Sequence, residues 1–495
     1  MKQFKKTLRA MALGTCLIST LPLVSCSNDD PVIPEPDTPD VPVIPTPDPE
    51  KPSTLKYGMD GTKVYDYLWA SISGENAEYG VDGALQASEL QDAKDYVWGL
   101  YQQAVAKESN QLPRLNAHDG VASWGDVTAP DAVWQMGDNN LDILYASKGT
   151  KPEKGYPLYL FIHGSGSDSN EEWNATMTWA YSFKDGPSAF FIPRSPYGGA
   201  NCRWYQPSRQ KVWETMLRQA MLSDEINPEK IYIMGISEGG YGTQRLSSFY
   251  ADYIAGSGPI ATGEQLFNCP VENLANVATC MQTGELDTSY GRAELTRRAG
   301  AQLDELAAAH PGYYHHKVNL QAGRGHGCDY TVTTPWLKHA SRVLNPKYFY
   351  WENLPLGGIN GEGYRWRDGF YNLYVLEPSD SREDPMVRSR YEMTIEGNTV
   401  DIDVKVVTVS ATEWSADAGM NIGCEKSYAD PAKGKLRVYL NEELVDLSQP
   451  VVVKVNGVEK FNGTVDYNSK HLVESCARYF DPYRVFAAAV DVDVK

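Results

Sequence analysis

Cysteine is scarce in this chain, with eight in 495 residues, and no Cys-x-x-Cys or Cys/His pair has the spacing of metal ligands, so no metal site is expected. Histidine is equally scarce, with eight, which leaves few candidates wherever a reaction needs an imidazole. Basic residues are outnumbered, 45 against 64 acidic ones, for a formal net charge of −19. Such a surface repels nucleic acid and anionic lipid and makes a polyanionic polymer such as unesterified pectin a poor substrate; the same acidity keeps a secreted protein soluble. No internal repeat is apparent.

The apolar stretch at residues 11 to 25 is too short to span a bilayer as a mature helix. Preceded by Lys2, Lys5, Lys6 and Arg9, it reads as a removable signal, and its loss takes the formal net charge from −19 to −23. Leu23-Val24-Ser25-Cys26 looks like a bacterial lipobox, with Cys26 as the lipidated residue. Ser27-Asn28-Asp29-Asp30 resembles the acidic signal that sends some Gram-negative lipoproteins to the outer face of the outer membrane. The proline-rich residues 31 to 53 form an extended tether which, at roughly 3 Å per residue, spans some 60 to 70 Å. The expected location is the outer membrane, at the cell surface or alternatively facing the periplasm, with the lipid as the only membrane contact.

Three short motifs then occur in the order serine, acid, histidine, each at the end of an apolar run. Gly235-Ile236-Ser237-Glu238-Gly239 comes after the β-branched and aromatic residues 230 to 236 and precedes a helical pattern at 241 to 250, the strand, sharp turn and helix that expose a serine hydroxyl. A serine needs a base within hydrogen-bond reach and a carboxylate to orient that base. His326, in a glycine-rich loop beyond the run 317 to 320, is the base, and Asp287, turning off the end of a strand at 275 to 282, is the acid, with Glu285 as the alternative. A fourth apolar run, 156 to 162, leads into His163-Gly164-Ser165-Gly166, whose backbone N–H groups at Gly164 and Ser165 are candidate oxyanion donors together with that of Glu238. His163 reads as a structural hydrogen-bonding residue rather than a base.

With these residues in register, the segment from about 130 to 345 resembles the α/β-hydrolases, nearest to secreted esterases of the polyhydroxybutyrate-depolymerase and feruloyl-esterase type. The resemblance implies a mostly parallel sheet flanked by helices and carries over His163 and Gly164 as the oxyanion turn and Ser237, Asp287 and His326 as the triad. In that superfamily the acid comes after the sixth or seventh strand and the histidine after the eighth, in keeping with separations of 50 and 39 residues here. It implies cleavage of carboxylic esters, acyl or feruloyl esters on glycans foremost, through an acyl-enzyme and without metal or organic cofactor. Serine peptidases of the prolyl-oligopeptidase type share this sheet and triad order, although no propeller-sized domain precedes the segment. A non-enzymatic reading is a glycan-binding surface lipoprotein with a vestigial hydrolase, against which the intact triad stands.

The full division is a signal at 1–25, a tether at 26–54, a helical extension at 55–128, the hydrolase at 129–345 and an all-β sandwich at 346–495. The extension carries helical patterns at 62 to 73 and 89 to 108 and packs on the hydrolase. The sandwich is read from runs at 348–354, 369–375, 390–395, 399–409, 435–440 and 450–455 and from the hairpin pairs Gly397-Asn398 and Asn456-Gly457. Among its aromatic residues, Tyr364, Trp366, Tyr371, Tyr374 and Trp414 are candidates to stack on sugar rings. Trp204 and Tyr205, in a glycine-rich loop after residue 193, and Trp173 are the expected substrate walls. Cys424 with Cys476 is one candidate disulfide and Cys328 with Cys280 or Cys202 another, while Cys269 has no assigned partner.

Overall fold

The computed structural model describes residues 55–75, 77–166, 168–196, 203–358 and 361–495. The signal, Cys26, the tether and Cys202 lie outside them.

An eight-stranded sheet is built from β1 (Ala132–Met136), β2 (Asn139–Lys148), β3 (Tyr156–Ile162), β4 (Ser188–Pro193), β5 (Ile226–Ile236), β6 (Gly256–Ile260), β7 (Ala278–Gly284) and β8 (His316–Gln321). Its spatial order is β8-β7-β6-β5-β3-β4-β2-β1. β4, β3, β5, β6, β7 and β8 run parallel, and β1 and β2 complete one edge in antiparallel pairing. That order and sense make an α/β-hydrolase fold. The interior strands β3, β4, β6 and β7 are buried on both faces, as parallel strands under helices must be, whereas the edge strand β8 is only partly buried. Along β3, Leu158, Leu160 and Ile162 face one core and Tyr159 and Phe161 the other, the period-2 alternation of a pleated strand.

Helices cover both faces. α3 (Ser169–Ser182) and α7 (Thr333–Leu337) lie on one, where Trp173, Met177 and Leu337 join Phe161, Phe190 and Met234. On the other lie α4 (Pro207–Leu222), α5 (Glu238–Phe249) and α6 (Arg292–Ala309), which bring Met216, Leu246 and Leu303 to Leu160 and Ile233. The strand order reverses at β3, whose chain continues through α3 to β4 on one side and through α4 to β5 on the other. A crevice therefore opens at the carboxyl ends of β3 and β5, the position where open parallel sheets hold ligands.

Beyond residue 345 the chain is β-rich. β9 (Tyr348–Glu352), β11 (Val387–Glu396), β12 (Thr399–Ser415), β13 (Met420–Ala429), β15 (Val451–Val455) and β16 (Val458–Gly463) make a six-stranded sheet. β10 (Leu373–Glu377), β14 (Lys435–Leu440) and β17 (Ala488–Asp493), with a two-residue strand at Gly369–Phe370, make a four-stranded one. Gly397-Asn398 joins β11 to β12, and Asn456-Gly457 joins β15 to β16 with φ of 51° and 75°, the left-handed pair of a two-residue hairpin turn.

One helix not expected from the sequence, α8 (Ser469–Tyr479), interrupts this region; the Asn468 side chain caps it by accepting from the Lys470 N–H. α8 explains where the extension packs. α1 (Gly61–Ser73) and α2 (Leu90–Val105) bury Leu68, Val97 and Leu100 against Leu472, Val473 and Cys476, so their apolar faces close on α8. The rest of the extension packs on the hydrolase: Trp124 is buried against Phe190 and Tyr181, Leu112 and Leu115 lie on the opposite core, and Glu108 pairs with Arg218.

The described residues cluster as one compact unit. A buried ionic network spans it. Asp252, after α5, accepts from Arg367 at 2.5 and 2.9 Å and from Arg484 at 2.5 Å, while Asp481 accepts from Arg484 at 2.9 Å and Arg342 at 2.6 Å. Burial pushes the Asp252 carboxyl up, but Arg367 and Arg484 more than offset this and hold it below the usual carboxylate range. Among the described residues no disulfide forms: Cys269, Cys280, Cys328, Cys424 and Cys476 are free thiols. The expected Cys424–Cys476 and Cys328–Cys280 bridges are therefore absent; Cys476 sits in the core under α1 and α2, whereas Cys424 lies on β13. Among the described residues no helix is long and apolar enough to cross a membrane.

Removing one partner of the ionic network leaves an uncompensated buried charge. Asp252→Asn should lower unfolding stability by about 3–5 kcal/mol in urea titrations. Asp304→Asn, whose carboxylate pairs with His316 but is 80% exposed, should change it by less than about 1 kcal/mol.

Candidate active site

Ser237 occupies the turn between β5 and α5 with φ 55° and ψ −113°, a conformation that costs a non-glycine residue on the order of 1–3 kcal/mol. The surroundings hold it there. Its N–H donates to the Ile260 carbonyl at 2.9 Å and its carbonyl accepts from the Tyr241 N–H at 3.0 Å. The flanking glycines are required by close approach: a Cβ on Gly235 would lie 2.3 Å from the Gly239 carbonyl oxygen, and one on Gly239 would lie 2.1 Å from that of Ile162. A side chain at either position would push α5 off β3, and the serine with it.

Asp287 lies just after β7 and His326 just after β8. His326 Nδ1 stands 2.7 Å from Asp287 Oδ2, and its Nε2 stands 3.1 Å from Ser237 Oγ. With Asp287 ionised, Nδ1 carries the proton and donates it, which leaves the Nε2 lone pair facing the serine hydroxyl. Burial pushes the Asp287 carboxyl up, but the His326 hydrogen bond and the Arg292 guanidinium hold it below its ordinary value. Arg292 donates from Nη1 to Asp287 Oδ1 at 3.1 Å and from Nε to the Tyr241 hydroxyl at 3.1 Å.

Glu285, the alternative acid, is exposed and turned away. Its Oε2 accepts from the Gly323 N–H at 3.1 Å, which ties the acid loop to the histidine loop. Backbone bonds lace the same two loops, from Glu285 N–H to Gln321 and from Leu286 N–H to Arg324. The loops are so close that a Cβ on Gly284 would meet the Gly325 carbonyl oxygen at 2.0 Å.

The loop after β3 passes over the nucleophile. A Cβ on Gly164 would lie 3.5 Å from Ser237 Cβ, and Ser165 lines the cavity beside it. Glu238 opens α5, whose first N–H groups lack partners within the helix. His163 is wholly structural: it is buried, its Nδ1 donates to the Gly164 carbonyl at 2.6 Å, its Nε2 accepts from the Ser195 N–H at 3.0 Å, and burial lowers its pKa to about 4.

Two expected substrate walls lie elsewhere. Trp204 is fully buried, donates from Nε1 to the His163 carbonyl at 2.9 Å and packs edge-on against its ring, so it supports the oxyanion loop from behind. Trp173 is on the buried face of α3 and donates to the Ile192 carbonyl at 2.9 Å. Tyr205 does line the cavity, about 380 Å³ in volume, that opens beside Ser237.

The sequence reading missed Arg203, Tyr241, Arg245, Glu264, Arg292 and Met420 in this cavity. For two of them a signal existed: Tyr241 and Arg245 stand at helical i+4 and i+8 spacing from Ser237. Met420 comes from the start of β13, far along the chain, and nothing local marks it. Glu238, buried and ion-paired to Arg203, has its pKa raised to about 7 by burial, against the pull of that arginine.

No protein-family model matches the sequence, and no curated protein does. Among solved structures, a thermostable esterase is 20% identical with a TM-score of 0.33, covering 43% of this chain and 63% of its own. Est1E from Butyrivibrio proteoclasticus is 15% identical with a TM-score of 0.32, covering 42% of this chain and 96% of its own. Dipeptidyl peptidase 4 from Porphyromonas gingivalis is 11% identical with a TM-score of 0.33, covering 42% of this chain and 35% of its own. The chain thus spans less than two thirds of the esterase and about a third of the peptidase. The fold assignment rests on strand order and not on these similarities.

The buried Glu238 has a thermodynamic signature. The folded protein holds the proton to about pH 7, whereas the unfolded chain releases it near 4.5, so between these values the native state binds more protons and stability falls as pH rises. Glu238→Gln cannot ionise. Relative to wild type it should therefore gain on the order of 2–3 kcal/mol from pH 4.5 to 7, read as a pH-dependent difference in Tm. A difference that stays flat with pH would mean the native carboxyl ionises normally.

Proposed function

We propose that the protein is a serine hydrolase that cleaves carboxylic esters, with acyl or feruloyl esters on glycans as the substrate class. The continuous hydrogen-bonded chain Ser237 Oγ, His326, Asp287 carries this reading. Ser237 attacks the ester carbonyl while His326 Nε2 takes its proton; Asp287 fixes the tautomer and stabilises the imidazolium that forms. Backbone N–H groups of Glu238 and of the Gly164 and Ser165 turn receive the oxyanion. His326 then returns the proton to the leaving alcohol, and water, activated by the same imidazole, releases the acid from the acyl-enzyme. We further propose that Cys26 is acylated and that residues 26–54 tether the enzyme at the outer face of the outer membrane.

Ser237→Ala and His326→Ala should each cost on the order of 10⁴ to 10⁶ in turnover of nitrophenyl acyl esters or methyl ferulate without unfolding the protein. A fluorophosphonate probe should label Ser237. Asp287→Asn should cost about 10⁴-fold, and Glu285→Gln far less, because its carboxylate only braces Gly323. A folded Ser237→Ala protein that keeps its activity removes the mechanism, and turnover of aminoacyl-anilides with no turnover of esters replaces the esterase by a peptidase.

Fractionation checks the anchor. Cys26→Ser should leave the membrane fraction while hydrolysing a small soluble ester at the wild-type rate, since Ser237, Asp287 and His326 lie far along the chain. A Cys26→Ser protein that still sediments with membranes removes the lipid anchor.

A further inference from the structure

The cavity beside Ser237 is cationic in a chain that is otherwise acidic. Three guanidinium groups, Arg203, Arg245 and Arg292, share its wall with the carboxyls of Glu238 and Glu264, although the whole chain carries a formal net charge of −19. Their commitments differ. Arg292 is spent on Asp287 and Tyr241. Arg203 pairs through Nη1 with Glu238 and keeps 30% of its side chain exposed. Arg245 donates only from Nε, to Glu264 at 2.6 Å, and its guanidinium lies 4.0 Å from the centre of the Tyr205 ring. Among the described residues nothing takes Nη1 or Nη2 of Arg245, and 17% of its side chain stays open.

A guanidinium packed over an aromatic ring, braced through Nε and with both terminal nitrogens unspent, suits two-point recognition of a carboxylate. With three guanidinium groups against two carboxyls the wall is net positive, and burial, which raises the pKa of Glu238 to about 7, weakens the acidic side of that balance below neutrality. Met420, from β13, adds an apolar side chain to the lining, and the cavity volume of about 380 Å³ holds a five-carbon chain with room to spare.

The geometry points to an anion subsite: the cavity takes a free carboxylate carried within a few bonds of the scissile ester, held by Arg245 with Arg203 beside it. This rests on the esterase reading above and narrows its substrate class to acidic esters. It also separates the local from the global field. The acidic surface repels extended polyanions, while a single carboxylate delivered next to Ser237 meets arginines.

The test compares two isosteric substrates, mono-4-nitrophenyl glutarate and 4-nitrophenyl valerate, which differ by a carboxylate in place of a methyl. In the wild type kcat/KM should favour the glutarate by about tenfold or more, the preference should shrink in high salt, and free glutarate should inhibit valerate cleavage competitively. Arg245→Met should bring the ratio to within about twofold of unity. Arg203→Met, on the more open side, should lower it less and secures the test if the first variant does not fold. Valerate cleavage by the wild type reports on the esterase reading alone. Glutarate binding to Ser237→Ala, measured by calorimetry, reports on the subsite alone. An equal or greater preference for valerate, an unchanged ratio in either arginine variant, or no glutarate binding to Ser237→Ala overturns the subsite.

Discussion

The site depends on one close approach, the first turn of α5 lying against the end of β3. The Gly239 backbone fits so tightly under the Ile162 carbonyl that even a methyl group has no place. That contact fixes the helix directly behind Ser237 and holds the serine at positive φ, a conformation local sterics disfavour. The sheet supplies the remaining restraint through the Ser237 N–H bond to Ile260 on β6. β3, β5 and β6 thus converge on one residue, and the strain in its backbone is balanced by the packing and hydrogen bonds around it.

The second half of the site is organised by loops, which must be stiffened by other means. Glu285 and the backbone bonds to Gln321 and Arg324 join the acid loop to the histidine loop, so Asp287 and His326 move as one unit. Arg292, from the first turn of α6, connects that unit to α5 through Tyr241, and hence to the nucleophile. His326 is nearly half exposed, which the proposed reaction requires of a group that must reach water as well as serine. Its two partners are placed from opposite sides by buried elements. Mobility at the imidazole is therefore limited without enclosing it.

The convergence of Ser237, Asp287 and His326 was legible because each sits at the end of an apolar run, and parallel strands bring the loops at their carboxyl ends to one edge of the sheet. The choice between Asp287 and Glu285 was not, since both lie in the same turn and only the lacing of two distant loops decides which faces the imidazole. Trp173 and Trp204 illustrate a general limit. A tryptophan near a site reads the same whether it lines the cavity or supports the loop that does, and here Trp204 does the second by bonding the His163 carbonyl. α8 was obscured by its setting among strands, and β13 by its polar residues, since Asn421, Glu425 and Lys426 carry no β-strand signature. The candidate disulfides failed because cysteine spacing says nothing of which core a thiol enters.

The C-terminal region bears on the same site in two ways. Asp252, in the short turn that comes after α5, is paired with Arg367 and Arg484, so the segment beyond the nucleophile's helix is held by charges from beyond the hydrolase sheet. An unpaired carboxylate there would be costly, which ties the segment after the nucleophile's helix to residues 115 and 232 positions later. At the other end of the region, the β12–β13 hairpin bonds α6 through Glu413 and Arg298 and sets Met420 into the cavity wall. α6 also carries Arg292. A substitution in the hairpin that shifts α6 should thus move Asp287 through Arg292, so that the β-rich region shapes both the pocket and the orientation of the acid.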